Sequence, residues 1–324
     1  MIPEVDPYLL PRTRIHPINL LPQHPAHLWL KREDEAGYAV AGGKLRKFAS
    51  LLPYLQREQF DAVLLVGGAS ANHTVAALQL LRASGIEPIT FTRALPRSNA
   101  GNHLLFRLLT AGKDVRTFAD EAARQSAIHE VQSTLEAAGK RTFLLPEGAF
   151  VPESLPGAGS LADDIQRNER AHHLQFNHIF IDSGTGLSAA ALILGLQNAG
   201  HPAQVHVVEM AHTDARHTLR PVLDQCQQWR RAAGLNVPEL DAERYRSYPP
   251  VTARAFGSVN RTVLNAIHRY AREFGVLTDP IYSAKLFLTA EKIISETDLR
   301  GNILLIHSGG AQTLPGFAAR LFPE

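Results

Sequence analysis

Cysteine is nearly absent from this chain: Cys226 is the only one in 324 residues. A single thiol excludes an internal disulfide and any multi-thiolate metal site, and it suits a reducing compartment. Charge of one sign does not dominate either. Lys and Arg together number 33 against 31 for Asp and Glu, a formal net charge of +2, so no global basic field attracts nucleic acid and no acidic tail is present. No uninterrupted apolar run approaches the ~20 residues that a membrane helix needs. The opening "MIPEVDPYLLPRTRIHP" lacks the basic start and apolar core of a signal peptide. These absences predict a cytoplasmic protein with a small-molecule partner, no nucleic acid and no membrane.

What is present suits a large folded core. The chain is 45% hydrophobic and 20% charged, long enough for two domains. Short apolar runs rich in β-branched residues occur at 62 to 68 ("AVLLVGG"), 88 to 93, 141 to 148, 178 to 184, 204 to 210 and 302 to 310, separated by helical patterns. Alternation of this kind predicts an α/β fold, a mostly parallel sheet covered by helices on both faces. Glycines in "RASG" (82 to 85), "EAAGK" (136 to 140) and "QNAGHP" (197 to 202) mark helix ends. The Pro- and Gly-rich "PEGAFVPESLPGAGS" (146 to 160) is the best crossing point between domains.

Five stretches carry chemistry. In "VAGGKLRKFASLL" (40 to 52), two glycines precede Lys44, which opens a helix whose macrodipole favours negative charge there. A surface lysine tolerates that position; paired glycines, which let a large group approach, favour a lysine placed for a bound molecule. In "HIFIDSGTGLSAAALILGL" (178 to 196), a strand runs into Gly184, Thr185 and Gly186, and a helix follows with Leu187 and Ser188. Backbone N–H groups at such a helix start form an anion cradle, most naturally for phosphate. The same "GTGLSA" also fits a dinucleotide fingerprint, with Glu209 at the distance of a ribose contact, so a nicotinamide or flavin oxidoreductase is a rival reading. In "LLVGGASANHTVAAL" (64 to 78), Ser70, Asn72 and His73 crowd a helix opening, where Asn72 is also placed to act as an ordinary cap. "LTDPIYSAKLFLTAEKII" (277 to 294) puts Tyr282 at a helix start, and "NILLIHSGGAQTLPGF" (302 to 317) ends a strand in His307, Ser308, Gly309 and Gly310.

Other features read as structural. His172/His173 and His212/His217 lack metal-ligand spacing and fit solvated loops, so no metal is expected. Arg46 and Lys47 read as an exposed helix face, or at most a weak field lowering the Lys44 pKa. Cys226 reads as a small core residue on a helix.

Taken in order from about residue 28 to 317, these motifs, with "LWLKREDEAG" (28 to 37) before them, resemble the pyridoxal-phosphate enzymes that include 1-aminocyclopropane-1-carboxylate deaminase and D-cysteine desulfhydrase. The resemblance implies a fold of the tryptophan-synthase β-subunit class. A small domain (52 to 150) would be inserted into a larger, cofactor-binding one (1 to 51 and 151 to 324), usually in a homodimer. It further implies that Lys44 holds pyridoxal 5'-phosphate as a Schiff base. Gly184, Thr185, Gly186, Leu187 and Ser188 would cradle its phosphate. Asn72 would hydrogen-bond the phenolic oxygen, and Ser308 would face the ring nitrogen as a neutral partner, which leaves that nitrogen unprotonated and favours elimination over transamination. Ser70, Asn72 and His73 would bind the substrate carboxylate, with Tyr282 near the substrate carbon as a proton donor or, in the ring-opening members, as part of the nucleophilic machinery.

The implied reaction is deamination of a small amino acid. The substrate displaces Lys44, the freed amine or a neighbour takes the Cα proton, a β-substituent departs, and hydrolysis releases ammonia and a 2-keto acid. Two departures bear on the substrate, and a third, at 146 to 149, lies near the domain junction. The ring-opening deaminases resemble D-P-x-Y-E-G-K, whereas Ser283 and Ala284 stand here, nearer the desulfhydrase Y-T-G-K. Phe256 in "RAFGSVN" falls where members carry a tyrosine in G-Y-G, and "PEGA" (146 to 149) replaces G-G-S and introduces Glu147. D-cysteine desulfhydration is therefore expected ahead of aminocyclopropane-carboxylate opening, and a non-catalytic pyridoxal-phosphate carrier is the third class.

Overall fold

The computed structural model describes residues 3–37, 39–40, 42–95, 98–210, 219–235, 237 and 239–323. Its strands are β1 Ile15–Pro17, β2 His27–Lys31, β3 Ala62–Val66, β4 Glu87–Thr92, β5 Val115–Thr117, β6 Thr142–Leu145, β7 His178–Ser183, β8 Gln204–Glu209, β9 Tyr245–Tyr248 and β10 Asn302–Ile306. The α-helices are α1 Gly43–Arg57, α2 Asn72–Ala83, α3 Gly101–Leu109, α4 Glu121–Ala137, α5 Leu155–His172, α6 Leu187–Asn198, α7 Arg220–Ala232, α8 Arg261–Phe274, α9 Ser283–Thr297 and α10 Ala318–Leu321.

Each of the six apolar runs forms a strand with a parallel neighbour; β3, β8 and β10 are buried almost throughout, as runs covered on both faces are, whereas β6 lies at a sheet edge and exposes Leu144. They divide between two sheets, one ordered β1-β2-β10-β7-β8-β9 and the other β5-β4-β3-β6. Among the described residues every pairing is parallel except β1 with β2. The four-stranded sheet takes all its strands from 62 to 145, and the six-stranded sheet takes its strands from the chain on either side. The predicted helix stops hold: Gly85, Gly139 and Gly200 follow α2, α4 and α6 with φ of +73°, +76° and +66°. Strands β1, β5 and β9 escape the sequence pattern because they are edge strands of three or four residues, "IHP", "VRT" and "YRSY", with polar or proline positions and no apolar run.

Helix α6 is buried nearly all round, with Leu187, Ala189 to Leu194 and Leu196 in the core. Its alanines and Gly195 let α5 come close; a Cβ on Gly195 would stand 2.8 Å from the Ala162 side chain. Helix α1 packs against α5 in turn, through Gly157, which leaves no room for a side chain beside the Arg46 carbonyl.

Here one expectation fails. Arg46 and Lys47 are not an exposed face; both are buried, and Arg46 is 1% exposed. Arg46 donates twice to Glu33, at 2.7 Å each, and to Asp164 of α5 at 2.9 Å. Lys31 completes the network through Asn168 (2.6 Å), the Thr13 carbonyl (2.8 Å) and Asp164. Buried charges persist only when paired in this way, and the network ties the start of α1 to β2 and α5. Cys226, as expected, is a fully buried residue of α7, its thiol pushed by burial up to about 12.

Candidate active site

The glycines before Lys44 are required by packing. Gly42 has φ +55° and ψ −131°, a conformation open to glycine. A Cβ on it would stand 2.8 Å from the Ser308 carbonyl oxygen, and one on Gly43 would stand 2.8 Å from Ser188 Oγ. Three of the sequence motifs thus meet at one point: the start of α1, the end of β10 and the start of α6. Burial lowers the pKa of the Lys44 ammonium, and the charges of Asp182 and Asp279 push it back up. A neutral amine, the form that attacks a carbonyl, becomes more accessible.

Beyond β7 the chain turns through Gly184, Thr185 and Gly186, and Gly186 adopts φ +91° immediately before α6. No side chain caps α6, so the N–H groups of its first turn face the loop. Val222 of α7 lies 3.0 Å from where a Gly186 Cβ would be, and Gly148 packs on the Thr185 side chain. Lys47, a residue the sequence reading had set aside, donates to the Gly148 carbonyl at 2.9 Å. Burial first, and then the Lys44 charge, lower its pKa to about 8. A cation therefore stands one helical turn past Lys44, beside the anion cradle.

Asn72 is not a cap. Ala71 occupies the cap position without a side-chain hydrogen bond, and Asn72 is the first residue of α2. Its Oδ1 accepts from Asn102 Nδ2 and from Gln312 Nε2, both at 2.8 Å. Two donors on the oxygen fix the orientation of the amide and leave its NH2 as the outward-facing donor. Gly310, at φ +101°, makes room: a Cβ there would stand 3.1 Å from Asn72 Nδ2 and 3.0 Å from Asp279 Cγ. Ser70 is exposed, its carbonyl held by Asn102 Nδ2 at 2.8 Å. His73 lies within reach of the Lys47 and Lys44 charges; burial, followed by those charges, lowers its pKa to about 3, so the ring is neutral.

Tyr282 precedes α9, and its hydroxyl and ring edge lie 3.4 and 3.5 Å from where a Gly184 Cβ would be. The turn is held by Asp279, which accepts from the N–H groups of Ile281, Tyr282 and Ser283 at 3.0, 3.1 and 2.8 Å and from the Ser283 hydroxyl at 2.7 Å. Burial and the charges of Asp182, Asp279 and Glu147 push the Tyr282 phenol up, so it remains a proton donor. The exposed Phe256 ring stands edge-on to it, 6.4 Å between centroids, on a loop pinned by Lys285 Nζ to the Ala253 carbonyl at 2.8 Å.

Asp182 is the group that sequence reasoning missed. Its signal was an acidic residue interrupting the apolar "HIFIDS" strand one step before the glycine loop. Burial raises its carboxyl to about 6, against the opposing pull of the Ser308 hydroxyl and the Lys44 charge. Together these residues suit pyridoxal phosphate: an amine of lowered pKa for an aldehyde, a helix start beside a buried ammonium for a phosphate, and a fixed amide donor for a phenolic oxygen. Among the described residues no cluster of three or more His, Cys, Asp or Glu is placed to hold a metal ion. His172 and His173 are exposed at the end of α5, and His212 and His217 lie outside the described residues.

Known proteins resemble the chain over nearly its whole length. The 1-aminocyclopropane-1-carboxylate deaminase of Methylobacterium nodulans is 28% identical over 320 residues, covering 93% of this chain and 94% of its own length. The protein of the same name from Cyberlindnera saturnus is 27% identical over 328 residues, covering 94% and 93%. Among solved structures, an ACC deaminase homologue superposes with a TM-score of 0.85 at 22% identity, covering 99% of this chain and 95% of that one. An O-ureido-L-serine synthase gives 0.64 at 16% identity, covering 97% and 94%. The fold is the tryptophan-synthase β-like α/β arrangement that the resemblance implied. The family model for "Pyridoxal-phosphate dependent enzyme" matches residues 8–309. It runs through both the glycine loop and Glu209, a buried residue ending β8, and overturns the dinucleotide reading of that pair. One family description thus accounts for the chain from its first strand to the Ser308 turn, and on that match the chain belongs to the pyridoxal-phosphate dependent enzymes.

Proposed function

We propose that the protein is a deaminase and lyase for a small amino acid, releasing ammonia and a 2-keto acid by β-elimination in the manner of a D-cysteine desulfhydrase. The observation that carries it is the convergence of Lys44, the α6 start and Tyr282. Bound pyridoxal phosphate supplies an aldehyde for amines and an electron-accepting ring. The chain's own residues do the rest. Lys44 would hold the cofactor, and its amine is placed to take up the Cα proton of a substrate. Gly184 to Ser188 bind the phosphate, with Lys47 beside them. The Asn72 amide NH2, its oxygen already occupied, would donate to the phenolic oxygen. The Ser70 hydroxyl and the α2 start receive the substrate carboxylate, and the Tyr282 hydroxyl delivers a proton near the substrate carbon.

The α2 residues come from the segment 52 to 150, and Gln312 and Gly310 come from the other side. Contact between them supports a cleft that closes between a small domain and a larger one (1 to 51 and 151 to 324). A homodimer in the cytoplasm belongs to the same reading, and light scattering of the purified protein tests the dimer.

Opening of the aminocyclopropane ring is the second reading, favoured by the names of the curated relatives. Against it, Ser283 stands where the ring-opening motif carries glutamate, and its hydroxyl is spent on Asp279 within the turn. The deciding experiment is an absorption spectrum of the purified protein beside Lys44→Ala, followed by keto-acid release from D-cysteine, L-cysteine, D-serine and aminocyclopropane carboxylate. A visible cofactor band lost in Lys44→Ala, with product from D-cysteine, is the expected result. A band without turnover of any of the four would favour the non-catalytic carrier.

A further inference from the structure

Two carboxylates send their charge to Lys44: Asp182 and Asp279. They are not equivalent. Asp279 is consumed by the turn before α9, where three N–H groups and the Ser283 hydroxyl occupy its oxygens. Asp182 lies near the end of an apolar strand, and its Oδ1 is buried without a hydrogen-bond partner. Folding alone gives no reason to keep such a group, because a buried carboxylate with an empty acceptor is costly. The hydroxyl that acts on this carboxyl, pulling its pKa down against burial, is that of Ser308, just past β10, the strand beside β7. A serine hydroxyl has one proton to donate. If that proton goes to Asp182, the Ser308 oxygen has only acceptor capacity left for anything else it meets.

We propose that Asp182 is a positioning residue that takes the Ser308 proton, turns the serine oxygen into an acceptor, and so holds the pyridine nitrogen of the bound cofactor in its protonated form. This rests on the reading that Ser308 faces that nitrogen, and it reverses the electronics expected of a lone hydroxyl. The nitrogen's proton comes from solvent. The other charged or titratable groups around Asp182 are Lys44 and Lys47 from α1 and Asp279 and Tyr282 from the turn before α9. The two ammonium groups favour an ionised Asp182, and with its carboxyl near 6 the couple is intact at neutral pH. A protonated ring nitrogen draws electrons more strongly, which assists removal of the Cα proton.

The test is the nitrogen-15 NMR shift of ring-labelled pyridoxal phosphate bound to the wild type, Asp182→Asn and Ser308→Ala, with absorption spectra to confirm attachment at Lys44. The wild type is expected at the pyridinium position at neutral pH, and both variants at the neutral-pyridine position with attachment retained. A neutral nitrogen in the wild type, or a pyridinium that survives Asp182→Asn, overturns the proposal. If Asp182→Asn does not fold, the wild-type shift and Ser308→Ala still decide. Failure of the wild type to form a Lys44-dependent band sinks the proposed function itself, and that outcome is read from absorption and not from the nitrogen shift.

Discussion

Gly42 abuts the backbone of Ser308, so closely that a Cβ at position 42 would stand 2.8 Å from the Ser308 carbonyl oxygen. The residue that introduces the lysine helix and the residue assigned to the cofactor ring are therefore held in one contact. Gly42→Ala meets both this overlap and a φ of +55°, and it is expected to lose about 2–4 kcal/mol of stability. Urea unfolding checks the loss, and cofactor absorbance at fixed protein concentration should fall with it.

Asn102 touches none of the proposed chemistry, yet it fixes the Asn72 amide and the Ser70 carbonyl. Asn102→Ala leaves Gln312 as the remaining donor to the Asn72 oxygen and loosens the amide. Cofactor affinity, followed by equilibrium titration, should weaken by roughly tenfold, the equivalent of one lost hydrogen bond. Unchanged affinity would mean that the Asn72 orientation does not matter.

Tyr282 keeps its proton because its phenol is pushed up by burial and nearby carboxylates. Tyr282→Phe should leave the cofactor spectrum intact while lowering kcat by about 10²-fold or more, the range for loss of a positioned acid. Equal kcat in the variant would remove Tyr282 from the chemistry.

The Arg46 network makes a prediction about stability alone. Arg46→Met leaves Glu33 and Asp164 buried with fewer partners, and a cost of about 3–5 kcal/mol is expected in denaturant unfolding. Arg57→Ala, at an exposed pair with Glu58, should cost no more than about 1 kcal/mol.

His73 supplies a pH dependence. Burial and two nearby ammonium groups lower its pKa from 6.5 to about 3, so between these values the unfolded chain binds a proton that the native state refuses. Stability from this group is present above the unfolded value and is lost as pH falls toward the folded one, at up to roughly 1.4 kcal/mol per pH unit. His73→Asn should flatten the acid limb of a stability–pH curve measured on the cofactor-free protein. An unchanged limb would show that His73 titrates normally.

Much of the site was legible in order along the chain. Paired glycines before Lys44, the loop at 184 to 188 and the Tyr282 turn are local features, readable because backbone conformation and helix starts depend on a few neighbouring residues. The capping role of Asn72 looked equally local and was wrong, since Asn102 and Gln312, thirty residues and more away, claim its oxygen. The edge strands β1, β5 and β9 were hidden for a related reason: pairing partners, and no apolar pattern of their own, make them strands.

By itself the sequence determined the α/β alternation, the helix ends and the order of the five motifs, because period and turn chemistry act over short range. Burial was decided only in the tertiary structure. Arg46 and Lys47 look like solvent residues until α5 and Gly148 cover them, and Asp182 looks like one polar position in a strand until Ser308 and Lys44 arrive beside it. Charge placement of that kind depends on contacts between segments more than a hundred residues apart, and these contacts shift the pKa values of the groups to which the proposed chemistry is assigned.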